Sequence, residues 1–268
     1  MADFKIVTFA EFADWLGLQS VSRLIKQIQN HHTYLPSYAQ FKGSNHLKMM
    51  QGMESSHLER GFAEIAQQFT TFPDGKIGIG RSMNTIPAGI KGANQTGICI
   101  EHVGNFNIDG DVMTQEHNET IIGINALLCN KFGLKPSTDS ILYHHWYDLN
   151  TAKRTNGTGS TKTCPGTNFF GGNKVEDCQK NFIPLVENAV VTTKITVAQY
   201  KMVGYVTVPK LNVRALPSSN AAIVDKLKQG VLVRIFEETQ GWYRISSSAG
   251  KWVKAEYISE NNPVDNLT

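Results

Sequence analysis

From Tyr205 onward the chain changes texture. Short β-prone runs alternate with Pro, Gly and Ser turns: Tyr205-Val206-Thr207-Val208, Leu211-Asn212-Val213-Arg214, Val231 to Phe236, Trp242-Tyr243-Arg244-Ile245 and Lys251-Trp252-Val253. Runs this short, broken this often, cannot continue as helices and predict a small all-β barrel. The residues before them follow another rule, because there strand-like and helix-like stretches alternate. A chain of 268 residues has room for both patterns as separate domains.

In the first part, Thr8-Phe9-Ala10-Glu11 fits a capping box, and Phe9, Phe12 and Leu16 share one helical face, which predicts a short helix ahead of the first strand. Leu24 to Gln29 reads as a strand running into His31-His32. Phe69 to Phe72 and Ile77 to Ile79 read as two strands joined by Pro73-Asp74-Gly75-Lys76, whose Pro and Gly supply the turn. Gly97 to Glu101 is a further strand, Thr114 to Phe132 a helix with Gly133 as its C-cap, and Ser140 to Tyr143 a strand leading into His144-His145-Trp146. A Gly-, Thr- and Asn-rich loop from Asn150 ends at Cys164-Pro165-Gly166. The fold expected is an α/β domain with a mixed central sheet flanked by helices, plus the small β barrel. The boundaries expected are 1–188 for the first domain, 189–202 for a linker, 203–260 for the barrel and 261–268 for a tail.

Charge and composition narrow the function. Residues 190–259 hold 10 Lys and Arg against 4 Asp and Glu, a balance of +6, whereas residues 1–189 hold 16 against 17. A basic second domain suits an anionic polymer, and with no nucleic-acid motif beside it nucleic acid is not the expected partner. No apolar run reaches the ~18 residues that a membrane span needs. Glu11 and Asp14 fall where a signal peptide would carry its apolar core, so the expectation is synthesis in the cytoplasm without a visible leader. Four cysteines without a CxxC pair do not form a disulfide scaffold.

Two adjacent histidine pairs at strand ends, His31-His32 and His144-His145, together with Cys164 beside a proline, supply the imidazole and thiolate donors that zinc prefers. Three protein ligands with a fourth position open is the catalytic form of such a site. Spacing alone leaves open a hydrogen-bonded core role for these histidines, since no HExxH or CxxC compacts them. Cys99, Cys129 and Cys178 lie in apolar or helical contexts and read as packing residues.

Five segments in order resemble the type-2 zinc N-acetylmuramoyl-L-alanine amidases, the family of T7-type phage lysozymes and peptidoglycan recognition proteins. They are Asn30-His31-His32-Thr33, Pro73 to Arg81, Gly97 to Glu101, Ile141-Leu142-Tyr143-His144 and Lys162-Thr163-Cys164-Pro165-Gly166. The likeness covers residues 25–186, and its details are most similar to phage and prophage endolysins. Residues 203–258, with Leu211 to Arg214, Gly241-Trp242 and Trp252-Val253, resemble a bacterial SH3-type cell-wall-binding module. The resemblance implies zinc on His31, His144 and Cys164, with His145 one residue away and Tyr143 where the family carries Gly. It implies Glu101 as acid/base and Lys162 facing the developing oxyanion during hydrolysis of the bond between N-acetylmuramic acid and L-alanine of the stem peptide. The tyrosine that many members carry after Asp-Ile-Gly is here Gln67, which shifts weight onto Glu101 and Lys162. Arg81, Asn94 and Thr96 are expected along the groove. In the second domain Trp242, Tyr243, Trp252 and Tyr257 divide between barrel core and a stacking surface for a wall polymer. The alternatives are a non-catalytic peptidoglycan-recognition protein and an antibacterial amidase effector. In every reading the partner is peptidoglycan, met at the cell wall after release.

Overall fold

The structure is a computed structural model that describes residues 4–195, 201–246 and 250–260. The chain divides into two compact units, one of residues 1–9 with 20–195 and the other of residues 10–19 with 196–268.

The first unit begins with a strand rather than the expected helix. Lys5–Val7 (β1) pairs antiparallel with Ile77–Ile79, and only then comes the helix Phe9–Leu18 (α1), with Phe12 and Leu16 buried. Most of α1 belongs to the second unit, where the Lys251 ammonium meets the Glu11 carboxylate at 2.7 Å. Next come Gln27–His32 (β2) and the helix His46–Glu59 (α2), which the sequence reading did not contain. Its polar-rich sequence hides an apolar face: Met49, Met50 and Met53 pack with Phe4, Ile65 and Phe72. Phe69–Thr71 (β3) and Ile77–Ile79 (β4) form the foreseen hairpin, with Gly75 at φ +77° in its turn. Gly97–His102 (β5), the helix Gln115–Phe132 (α3) and Ile141–Tyr143 (β6) complete the unit's core. The α3 helix is bounded as its sequence predicts: the Thr114 hydroxyl accepts the His117 N–H, and Gly133 stops it in the left-handed region at φ +65°.

These strands form one mixed sheet in the order β1-β4-β3-β5-β2-β6, in which β3, β5, β2 and β6 run parallel. A central parallel strand is usually a continuous apolar run. Here β2 buries Gln29, Asn30, His31 and His32, so each of those polar groups needs a partner inside the protein. The helix Ile183–Ile195 runs through the first half of the expected linker, and residues 196–200 lie outside the described residues.

Apart from α1, the second unit is built of β-strands from Met202 onward, and among the described residues these form two sheets and not a closed barrel. Its strands are Met202–Val206 (β7), Lys210–Arg214 (β8), Ile223–Lys228 (β9), Leu232–Ile235 (β10), Glu237–Thr239 (β11), Trp242–Arg244 (β12), Trp252–Lys254 (β13) and Ile258–Ser259 (β14). They pair antiparallel as β10-β7-β14 and β11-β12-β13-β8-β9. Val206 of the first sheet packs with Leu211, Val213 and Val253 of the second, so the core lies between sheets. Trp242 and Trp252 are buried, Tyr243 packs on that core, and of the four expected aromatics Tyr257 is the exposed one. The unforeseen β9 is exposed along most of its length and carries no alternating apolar signal. The expected tail, 261–268, lies outside the described residues.

Candidate active site

Parallel strands deliver their carboxyl ends to one edge of a sheet, where α/β proteins bind ligands. Here β2, β5 and β6 end together. His31 is the penultimate residue of β2, Glu101 stands opposite it on β5, and His144 follows β6 as the first residue of a 3-10 turn. The chain then leaves the sheet and returns with Cys164. The His31 and His144 Nδ1 atoms are 3.1 Å apart, and the Cys164 Sγ is 3.5 Å from His31 Nδ1. All three side chains are buried. His145 turns away: its Nδ1–H donates to the Lys162 carbonyl at 2.7 Å, and its backbone N–H donates to the Cys164 carbonyl at 2.7 Å.

The loop that brings Cys164 back is built on Asp148, a residue the sequence reading passed over. Its carboxylate accepts the backbone N–H groups of Asn150, Thr151 and Ser160 at 3.1, 2.8 and 2.8 Å. The Asn173 side-chain amide then donates to the Thr163 carbonyl at 2.8 Å, next to Cys164. The amides of Thr151 and Ser160 hold the Asp148 carboxyl below its ordinary value. A carboxylate whose folded pKa is depressed contributes stability above its unfolded value, near ~3.9, and loses it as pH falls through the folded one. Asp148→Asn is therefore expected to melt at lower temperature than the parent at neutral pH, and the gap should close as the pH falls through the lowered pKa of the folded carboxyl. Melting curves across that range test it; a gap constant with pH would remove the carboxylate's charge from the account.

Burial dominates the electrostatics. It pushes the His31 imidazole well below its ordinary value, with His144 and Lys162 adding to the effect, and brings His144 down to about 3. It pushes the Cys164 thiol far up, assisted by Glu101. Without a cation the three groups are neutral. Glu101 is raised to about 7 by burial, against the pull of Lys162 and Arg60, and its Oε1 lies 4.0 Å from His31 Nδ1. Its Oε2, like His31 Nε2, is buried without a partner. Two imidazole nitrogens and a sulfur on a tetrahedral zinc ion stand ~3.3–3.6 Å apart, which fits the separations here. This donor group could hold a metal ion.

The group lies in a cavity of about 1080 Å³ that also takes in Lys162 and Asn94. Arg81 and Thr96 are not part of its lining. The Arg81 guanidinium is consumed by the Ile65 and Ile86 carbonyls, and the Thr96 hydroxyl donates to Gln27. Gln67 is fully buried, its amide donating to Thr70 and facing Met53, and is not part of the cavity lining. The sequence reading missed one cavity wall, the α2 face with Gly52, Met53, Ser56 and His57, followed by Arg60. The His57 Nδ1 accepts the Ala66 N–H at 3.1 Å, which leaves the proton on Nε2. Only the i, i+4 spacing of Met49 and Met53 could have announced this helix.

Residues 21–167 match the N-acetylmuramoyl-L-alanine amidase family, more than half of the chain, with the donor group and Glu101 inside the matched span. The chain belongs to that family. Residues 209–259 of this amidase-family chain match the bacterial SH3 domain. Among solved structures it is similar to the N-acetylmuramoyl-L-alanine amidase LysC from Clostridium intestinale, at 24% identity over 55% of this chain and 80% of that one, TM-score 0.41. It is also similar to Drosophila PGRP-LB, at 21% identity over 60% and 84%, TM-score 0.46, and to Drosophila PGRP-SA, at 19% over 62% and 84%, TM-score 0.46. No curated protein matches.

Proposed function

We propose that the chain is a zinc-dependent amidase that hydrolyses the bond between the lactyl group of N-acetylmuramic acid and the L-alanine of the stem peptide. The observation that carries this reading is the buried His31, His144 and Cys164 group beside a partly buried carboxyl, Glu101, raised to about 7, inside the span that matches the family. His31, His144 and Cys164 would hold a zinc ion, which when bound would supply Lewis-acid chemistry for the amide carbonyl and a water. Glu101, within reach of the same point, takes a proton from the nucleophile and returns it to the leaving amine, a task suited to a pKa near ambient pH. Lys162 at the cavity places positive charge where the carbonyl oxygen becomes negative. The α2 wall and the loop after β2 hold the substrate strand, and the basic SH3-type unit binds an anionic wall polymer at the cell wall.

Mass spectrometry of material released from purified peptidoglycan tests the reading. Free stem peptides beginning with L-alanine are expected from the protein as purified, absent after chelation and restored by added zinc. Binding to the wall with no soluble product in any of the three samples would overturn the amidase reading in favour of recognition alone.

A further inference from the structure

Behind the site, on the opposite face of the sheet, Asn30 of β2 and His102 of β5 find their partners in a single chain of side chains. The direction of every hydrogen bond in it is fixed from one end. The Asn125 amide nitrogen of α3 faces the Ile121 carbonyl at 2.9 Å, an acceptor only, so this nitrogen also donates to Asn30 Oδ1 at 2.9 Å. Asn30 returns a bond through its own nitrogen to Asn125 Oδ1 at 3.0 Å. The His102 Nε2, 3.0 Å from the same Asn30 oxygen, must then carry a proton and donate.

Five of the six members, Asn30, Thr71, His102, His117 and Asn125, are fully buried. Burial holds His102 well below its ordinary value and brings His117 to about 3, so both rings are neutral. A neutral His102 with its proton on Nε2 has an accepting Nδ1, and the Thr71 hydroxyl at 2.7 Å donates to it. That hydroxyl has spent its proton, so it accepts from His117 Nε2–H at 2.7 Å. His117 Nδ1 then accepts from the Tyr38 hydroxyl at 2.7 Å, and the Tyr38 oxygen accepts the Thr114 backbone N–H at 3.3 Å. The chain runs from a backbone donor at the start of α3 to a backbone carbonyl within it, with each donor aimed the same way as far as Asn30, which Asn125 meets in a reciprocal pair of bonds.

We infer that this chain, Tyr38, His117, Thr71, His102, Asn30 and Asn125, is a positioning device for the site. Successive side chains of a strand point to opposite faces. Asn30 precedes the ligand His31 and His102 follows Glu101, so the bond from His102 to Asn30 ties β5 to β2 across the level at which His31 and Glu101 stand opposite one another. Thr71, opposite His102 on β3, extends the tie to a third strand. The Thr71 hydroxyl is the one link that both gives and accepts between two rings: a proton added at His102 Nδ1 would take away the acceptor of the Thr71 hydroxyl, and one added at His117 Nδ1 would take away the acceptor of the Tyr38 hydroxyl. The kinetic half of this inference rests on the amidase reading; the tautomers do not.

The test uses the full chain, with imidazole 15N spectra and amide hydrolysis measured on the same samples. Both His102 and His117 are expected as Nε2–H tautomers in the parent. Thr71→Val is expected to lower kcat ~10-fold at unchanged KM and zinc content, and Thr71→Ser to restore both kcat and the parent spectrum. Tyr38→Phe, at the half-buried end of the chain, keeps the fold if the valine variant does not; it is expected to shift the His117 Nδ1 signal and lower kcat ~3-fold at unchanged KM. An Nδ1–H tautomer at either ring of the parent overturns the inference, as does a parent-like kcat in the folded variants or a serine variant that fails to rescue. A parent that hydrolyses nothing defeats the proposed function instead, and the spectra still decide the chain of bonds.

Discussion

Cys164→Ser is expected to leave a folded protein that retains little zinc and releases stem peptides at least ~10²-fold more slowly. Sulfur is the donor that a serine hydroxyl cannot replace, because zinc binds a thiolate and an alcohol at neutral pH keeps its proton. In the metal-free chain the thiol is neutral and buried, so cation binding expels one proton at this position. Serine is also the smaller change in shape, and the backbone of residue 164 stays anchored through its carbonyl to His145. Zinc per chain after gel filtration, product release and a thermal melt separate the possibilities. Full zinc content in the serine variant would remove Cys164 from the ligand set, and an unfolded variant would make its role structural.

The second large effect concerns the floor on which the site rests. Phe169→Ala is expected to cost about 3–5 kcal/mol of the first unit's stability and to lower its melting temperature by about 10 °C. The Phe169 ring is fully buried and touches five others: His102 at 5.4 Å, Tyr143 at 5.4 Å, Phe106 at 5.8 Å, Phe170 at 5.0 Å and Phe182 at 5.8 Å. These partners come from β5, β6 and three segments without regular strand structure, so no single neighbour can close over the hole. A denaturant titration with unchanged slope and a loss below about 1 kcal/mol would show that the cluster relaxes around the gap.

Much of this was legible in the sequence where local chemistry and final structure agree. Thr114 and Gly133 announce both ends of α3, the Pro-Asp-Gly turn announces its hairpin, and the histidine candidates stand at strand ends where periodicity breaks. The sequence could not show which member of His144-His145 turns inward. That choice is made by the Lys162 and Cys164 carbonyls, seventeen and nineteen residues downstream, which engage His145 and leave His144 to the cavity. Nor could it show α2, whose stripe of methionines sits among polar residues, or the second-unit membership of α1, whose Glu11 meets Lys251 far along the chain. Arg81 misled for a related reason: a basic residue beside a motif looks available for substrate, whereas backbone carbonyls had already claimed it.

In each histidine pair the two rings serve different masters. His31 faces the donor group while the His32 Nδ1 accepts the Phe106 N–H at 3.1 Å; His144 faces it while His145 is tied to Lys162. Adjacent Cα atoms are a fixed ~3.8 Å apart, so each ligand is joined to a cavity-side loop by a lever one peptide long. A displacement of either loop is therefore handed to the neighbouring imidazole through a single peptide unit, and the placing of the donor group depends on where those two loops sit.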